Sequence, residues 1–209
     1  MKILIIGATR GIGLQVLQQA LEEDHDVTVL ARNPQKLTLE HKRLQVVRGD
    51  ICENNAVSSA TEGQDAVVSC IGIRPTRKPV SVFSAGIKNV LKAMDQHRVR
   101  RLIGVTGIGA GDSRGHGGFF YDKIFQPMLL KTIYENKDQE ESLIKNSQVN
   151  WIIVRPGFLT NGPMTGSYRV LTDMTDVKAG KISRADVAYF ILNQLDSSGY
   201  NFKTPLLTY

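Results

Sequence analysis

Short apolar runs rich in β-branched residues alternate along this chain with longer segments whose apolar side chains recur every three or four positions. The runs are Ile3–Ile6, Val27–Leu30, Leu44–Val47, Ala66–Cys70, Leu102–Thr106 and Trp151–Val154. Each is apolar almost without interruption, the pattern of strands buried on both faces of a parallel sheet. The helical segments are Gly11–Glu23, Val80–Gln96, Tyr134–Lys145 and Ser183–Gln194. In the first, Ile12, Val16, Leu17, Ala20 and Leu21 form one stripe; in the second, Phe83, Ile87, Val90, Leu91 and Met94 do so. Ser183 is placed to cap its helix, with Asp186 in the first turn. A last short strand is expected at Pro205–Thr208. Strands and helices in this order predict an α/β fold: a doubly wound, mostly parallel sheet with helices on both faces. No repeat, low-complexity tract or linker divides the 209 residues, so one domain spanning 1–209 is expected.

The first strand runs directly into Gly7-Ala8-Thr9-Arg10-Gly11-Ile12-Gly13, which opens the first helix. In a strand–glycine loop–helix unit Gly7 permits the tight turn, Gly11 lets backbone approach a pyrophosphate, and Gly13 lets helix and strand pack closely. The helix N-terminus adds N–H donors and positive potential, so Thr9, Ile12 and their neighbours are candidate dinucleotide ligands in a Rossmann-type domain. The tip of the second strand carries no carboxylate to grip ribose hydroxyls; it carries Arg32, with Arg10 in the glycine loop. Two guanidinium groups suit a 2′-phosphate, which favours NADP(H), with NAD(H) the other option. Lys36 either assists or faces solvent. Asp50 and Ile51 follow the third strand, where Asp50 either bonds the adenine amino group or caps a helix and Ile51 flanks the ring. Cys70, Ile71 and Gly72 end the fourth strand beside the expected path of the cofactor ribose, Cys70 as a packing residue rather than a nucleophile.

Charge and composition narrow the picture. The net charge of +6 admits nucleic acid or a phosphate-bearing small ligand as partner. The densest basic run, His97-Arg98-Val99-Arg100-Arg101, falls where a helix ends, and cations there complement its dipole; without interleaved aromatics, no nucleic-acid partner is expected. The four histidines are scattered without ligand spacing, so no metal is expected. Two cysteines without a pairing pattern suit a reducing compartment, and no apolar stretch reaches spanning length, so a cytoplasmic protein away from membranes is expected. The glycine-rich stretch Gly107–Phe120 follows a central strand at its carboxyl end, where open α/β sheets bind ligands, and reads as a mobile active-site lid.

GATRGIG, VTVLARNPQKL, VVRGDI, QDAVVSCIG, NWIIVRPGFLTNGPMTG and KISRADVAYFIL together resemble the short-chain dehydrogenase/reductase superfamily in its atypical NAD(P)H-binding branch. The layout is most similar to the flavin reductase and β-type biliverdin reductase members. That resemblance implies a Rossmann monomer using NAD(P)H to reduce flavins or linear tetrapyrroles. It also implies a catalytic Ser/Thr after the fifth strand, matched by Thr106, and a Tyr-x-x-x-Lys pair. Lys137 falls at the lysine position, but the residue four before it is Ile133; Tyr134 stands one place off, about 100° around a helix. The glycine spacing Gly7-x-x-x-Gly11-x-Gly13 is that of the superfamily's main branch.

Without a tyrosine acid, carbonyl reduction lacks its proton donor, whereas a flavin or bilin delocalises charge over a conjugated ring and is reduced mainly by positioning. Candidates for the acceptor pocket are Thr106, Phe119, Phe120 and Tyr121 with Arg155, and Pro156, Gly157 and Phe158 border the cofactor. Arg74, Arg77 and Lys78 either meet anionic groups of the acceptor or are ordinary loop cations. The expected activity is therefore an NADPH-dependent reductase of a conjugated acceptor. The competing readings are a non-catalytic NADP(H)-binding redox sensor or assembly factor acting through a protein partner, and a carbonyl reductase or sugar-nucleotide epimerase.

Overall fold

A computed structural model describes residues 1–118, 128, 130–175 and 177–209. Five uninterrupted apolar runs become five of the six inner strands, β1 (Lys2–Ile6), β2 (Asp26–Ala31), β4 (Ala66–Ser69), β5 (Arg101–Val105) and β6 (Asn150–Pro156). Apart from the first residue of β1, β2 and β6, every residue in them is buried. With β3 (Leu44–Arg48), β8 (Arg169–Leu171) and β10 (Leu206–Thr208) they form an eight-stranded sheet in the order β3-β2-β1-β4-β5-β6-β10-β8. All neighbours are parallel except β8, which pairs antiparallel with β10. A separate parallel pair, β7 (Phe158–Thr160) with β9 (Lys181–Ser183), flanks the end of β6.

Helices cover both faces, as the doubly wound pattern requires. On one, α1 (Gly11–Glu22) packs against α5 (Arg184–Asn193) over a core that includes Ile3, Ile5, Val16, Leu17, Val187 and Ile191. On the other, α2 (Asn54–Thr61), α3 (Val82–Gln96) and α4 (Lys131–Lys145) lie side by side over Leu4, Val67, Ile87, Val90, Leu102 and Ile153. Burying the apolar face of each helix contributes about 1.5–3 kcal/mol per large side chain. Ser183 caps α5 as expected, its hydroxyl accepting from the Asp186 N–H at 2.9 Å.

Several elements depart from the sequence pattern. β3 is the sheet edge, so its residues are exposed or half-buried rather than enclosed, with Val46 39% exposed. Helix α2 gives no strong apolar signal because only Val57, Ala60 and Thr61 of its eight residues are buried. Its N-cap is Glu53, so the reading of Asp50 as a cap falls; Asp50 Oδ1 accepts instead from the Cys52 N–H at 2.9 Å. The strands β7, β8 and β9 are three residues each, too short to show a period. The basic run ends inside the fold: Arg101 is buried and donates to the carbonyls of Gln194 and Ser197 and to Asn201.

Two close approaches hold the site end of the sheet. A Cβ built on Gly13 lies 2.3 Å from the Gly7 carbonyl oxygen, so α1 sits against the end of β1 at a distance only glycine allows. Further along the sheet Arg155, fully buried, donates Nε to Glu141 Oε1 at 3.0 Å and Nη2 to Glu141 Oε2 at 2.6 Å, and its Nη1 also pairs with Asp112. This ties β6, α4 and the 107–118 loop together. Asp138 adds a second tie, accepting the Gly111 N–H at 2.7 Å and pairing with Arg114. Burial opposes charge on Glu141, but the hydrogen bonds and charge of Arg155 outweigh it and hold the carboxyl below its ordinary range.

Gly13→Ala is expected to destabilise the protein by about 3 kcal/mol, because the new methyl meets backbone that cannot move aside; chemical denaturation measures it. Arg155→Met is expected to cost about 3–5 kcal/mol at neutral pH, since it strands a buried carboxylate. Glu141 is depressed in the folded state, so its contribution is present above the ordinary glutamate value of ~4.3 and lost as pH falls through the lower folded value. Denaturation midpoints of the wild type are therefore expected to fall in that acid window, and less steeply in Arg155→Met.

Candidate active site

Strand order reverses between β1 and β4, and connections leaving the two strands in opposite directions open a crevice at their carboxyl ends. A continuous cleft of about 1400 Å³ occupies it, running from Arg32 and Asp50 across the glycine loop to Thr106, Lys137 and Pro156. Single small-molecule sites are typically ~300–1,000 Å³, so this one has room for a dinucleotide and a second ligand.

The middle of the cleft offers free backbone donors at the start of α1. Arg10 is the N-cap of α1 in extended conformation, its side chain makes no cap hydrogen bond, and the first turn holds no acid. The leading N–H groups of α1 are therefore presented to whatever occupies the cleft. Gly11, at φ +66°, leaves that approach open: the nearest atom to a Cβ built there is Arg184 Nε at 3.9 Å. Arg184 opens α5, donates to Asn161 at 2.7 Å, and lines the same cleft. Sequence reading missed it, although KISRADV marks the start of this helix; nothing local shows that α5 faces α1.

At one end Arg10, Arg32 and Lys36 line the cleft with Asp50 and Ile51. Asp50 lies 3.8 Å from Arg32, a pairing invisible in sequence because the two residues follow different strands. Cys70, Ile71 and Gly72 form the wall beyond β4, and burial pushes the Cys70 thiol up to about 12, which makes it a packing group. Cys52 is exposed and free.

At the other end the carboxyl termini of β5 and β6 bring together Thr106, Tyr134, Lys137, Pro156, Gly157 and Phe158. Helix α4 starts at Lys131, three residues before the expected position, and Tyr134 and Lys137 stand one turn apart on its cleft-facing side. The Tyr134 hydroxyl reaches the Gly107 turn, 3.5 Å from a Cβ built there. Lys137 is buried, donates to the Val105 carbonyl at 3.3 Å, lies 3.8 Å from Glu140 and sits 4.3 Å above the Phe83 ring. Burial pushes its ammonium below the ordinary lysine value, with Glu140 and Glu141 pulling the other way. Thr106 Oγ1 donates to Glu141 Oε1 at 2.8 Å. Phe83, Leu130 and Ile133 supply an apolar wall.

Arg155 is not in this pocket. It is enclosed beneath it by Glu141 and Asp112, which satisfy a guanidinium that could not otherwise be buried. Arg74 lines the cleft, whereas Arg77 turns away to donate to the Met128 carbonyl at 3.2 Å and Lys78 lies outside the lining. Phe119, Phe120 and Tyr121 lie outside the described residues. Among the described residues no cluster of three or more His, Cys, Asp or Glu is arranged to hold a metal, and no helix is long and apolar enough to cross a membrane.

An uncapped helix start, an open glycine and a cationic rim fit a dinucleotide phosphate, and comparison with known proteins agrees. Residues 7–198 match the model of a family described as NAD(P)H-binding. An uncharacterized chloroplastic protein of Arabidopsis thaliana is 30% identical over 94% of this chain and 74% of its own length. The photosystem II assembly factor Ycf39 of Synechocystis is 28% identical over 49% of this chain and 32% of its own length. Among solved structures, the anaerobilin reductase ChuY of Escherichia coli O157:H7 superposes with a TM-score of 0.85 and 25% identity, covering 100% of this chain and 97% of that one. The chain belongs to the NAD(P)H-binding family and has a Rossmann fold.

Proposed function

We propose that the chain is an NADPH-dependent reductase of a conjugated ring acceptor, a flavin or a linear tetrapyrrole. The observation that carries this reading is the chemical end of the cleft. There an apolar wall of Phe83, Leu130 and Ile133 faces the ends of β5 and β6, and the tyrosine and lysine are spaced three apart rather than four. Such a wall seats a flat ring, and the altered spacing removes the acid that a carbonyl substrate needs. The full-length similarity to an anaerobilin reductase supports a bilin as one such acceptor.

NADPH supplies the hydride when bound. The leading N–H groups of α1 take the pyrophosphate, and Arg10 and Arg32 take the 2′-phosphate, with Lys36 beside them. Ile51 flanks the adenine, and Pro156, Gly157 and Phe158 border the nicotinamide. Thr106 and Lys137 position the reacting rings, a task in which correct stacking matters more than covalent chemistry. The acceptor gains a hydride and one proton, the proton coming from solvent as charge spreads over the conjugated ring. Arg74 meets an anionic substituent of the acceptor.

A second reading is favoured by the similarity to Ycf39: an NADP(H)-binding assembly factor that signals to a protein partner. It predicts that NADPH alters partner binding while no small acceptor is consumed.

NADPH oxidation is expected with biliverdin, FMN or riboflavin; protein that binds NADPH yet turns over none of them fails the reductase reading. Arg32→Ser is expected to weaken NADPH binding roughly 10- to 100-fold while leaving NADH binding nearly unchanged, measured by titration of each cofactor. Tyr134→Phe is expected to keep its turnover. Abolished turnover with NADPH binding intact would instead mark a tyrosine acid and a carbonyl substrate.

A further inference from the structure

We propose that Thr106 stands in the cleft wall as an obligate hydrogen-bond acceptor, its own proton committed to Glu141, and that the site therefore selects ring acceptors offering an N–H. The inference rests on the reductase reading and narrows its substrate class.

A threonine hydroxyl has one proton and two lone pairs. Thr106 Oγ1 lies 2.8 Å from Glu141 Oε1, and which partner donates depends on where the carboxyl proton is. Glu141 has none to give. Its Oε1 already accepts from Arg155 Nε at 3.0 Å, and its Oε2 accepts from Arg155 Nη2 at 2.6 Å with Lys145 Nζ 3.4 Å away. Two cations on a carboxylate whose side chain is 2% exposed keep it ionised, so the hydroxyl donates. Both partners are anchored: the Thr106 N–H donates to the Val154 carbonyl at 3.0 Å, and Arg155 pairs on its other side with Asp112.

What remains toward the cleft is lone-pair density. A substrate carbonyl set against it finds no donor and faces another oxygen, whereas an N–H finds a partner. Isoalloxazine N3 and the pyrrole and lactam nitrogens of a linear tetrapyrrole carry such a hydrogen; a simple ketone or aldehyde does not. The polarity of one hydroxyl thus acts in the same direction as the displaced tyrosine.

Two measurements test this. Carbon-13 NMR of the Glu141 carboxyl, in protein without ligand, is expected to show ionisation persisting below the ordinary ~4.3. Thr106→Val should raise that midpoint and Thr106→Ser should not. A wild-type Glu141 titrating above the ordinary value would overturn the proposal, since the hydroxyl would then be free to donate outward. The second measurement compares riboflavin with N3-methylriboflavin on NADP⁺-saturated protein by flavin fluorescence quenching. The wild type and Thr106→Ser are expected to prefer the N–H form roughly 10-fold, and Thr106→Val to lose the preference. Equal affinities in the wild type, no binding of either flavin, or a preference surviving in Thr106→Val overturns it. Failure of the reductase reading is separate: bound NADPH is then oxidised by none of the acceptors, while the carboxyl titration still comes out as described.

Discussion

The site depends first on the closeness of α1 to β1. Because Gly13 leaves no side chain between the helix and the Gly7 carbonyl, the first turn of α1 is set at the carboxyl edge of the sheet, where the crevice opens. The proposed phosphate contacts follow from that placement. The helix start carries no cap and no acid, so its donors remain available to an anion. The packing of α5 against α1 then brings Arg184 to the same opening. A larger residue at the contact would move the helix axis and with it the whole donor set.

A second constraint acts at the chemical end. Arg155 is fully buried, and a guanidinium is tolerated there only because Glu141 and Asp112 satisfy it. The charges are used structurally: they hold the 107–118 loop against α4 and set the orientation of Thr106. The two ends of the cleft therefore handle charge in opposite ways. The phosphate end exposes cations with Asp50 as a partial counterweight; the chemical end neutralises its charges internally and presents an apolar wall.

The parts of this arrangement that were legible in the sequence are those encoded by neighbours in the chain. Uninterrupted apolar runs marked the inner strands, the α1 and α3 stripes matched buried faces, and the Ser183 cap was read from local spacing. The glycine loop, too, was read from local spacing. The parts that were hidden depend on residues far apart in sequence. Arg155 follows an apolar strand and looked like a ligand at its tip; only Glu141, on a different element, explains its burial. Arg32 and Asp50, and Gly11 and Arg184, meet across elements in the same way. Helix α2 was hidden because its buried face is two aliphatic side chains and one threonine.

The position of Tyr134 joins these threads. Counting back from Lys137 places it one residue from where a catalytic tyrosine belongs, yet three residues is nearly a full helical turn, so both side chains still face the cleft. What the offset changes is the direction around the helix, by about 100°, and the height along its axis, by about 1.5 Å. A proton transfer that needs a donor in hydrogen-bond reach is sensitive to such a shift, while stacking a flat ring against Phe83 and Ile133 is not. With the Thr106 proton committed to Glu141, neither oxygen of the expected pair is set to polarise a carbonyl. On the proposed reading, the fold that takes a dinucleotide at one end favours, at the other, acceptors whose own conjugation absorbs the charge of reduction.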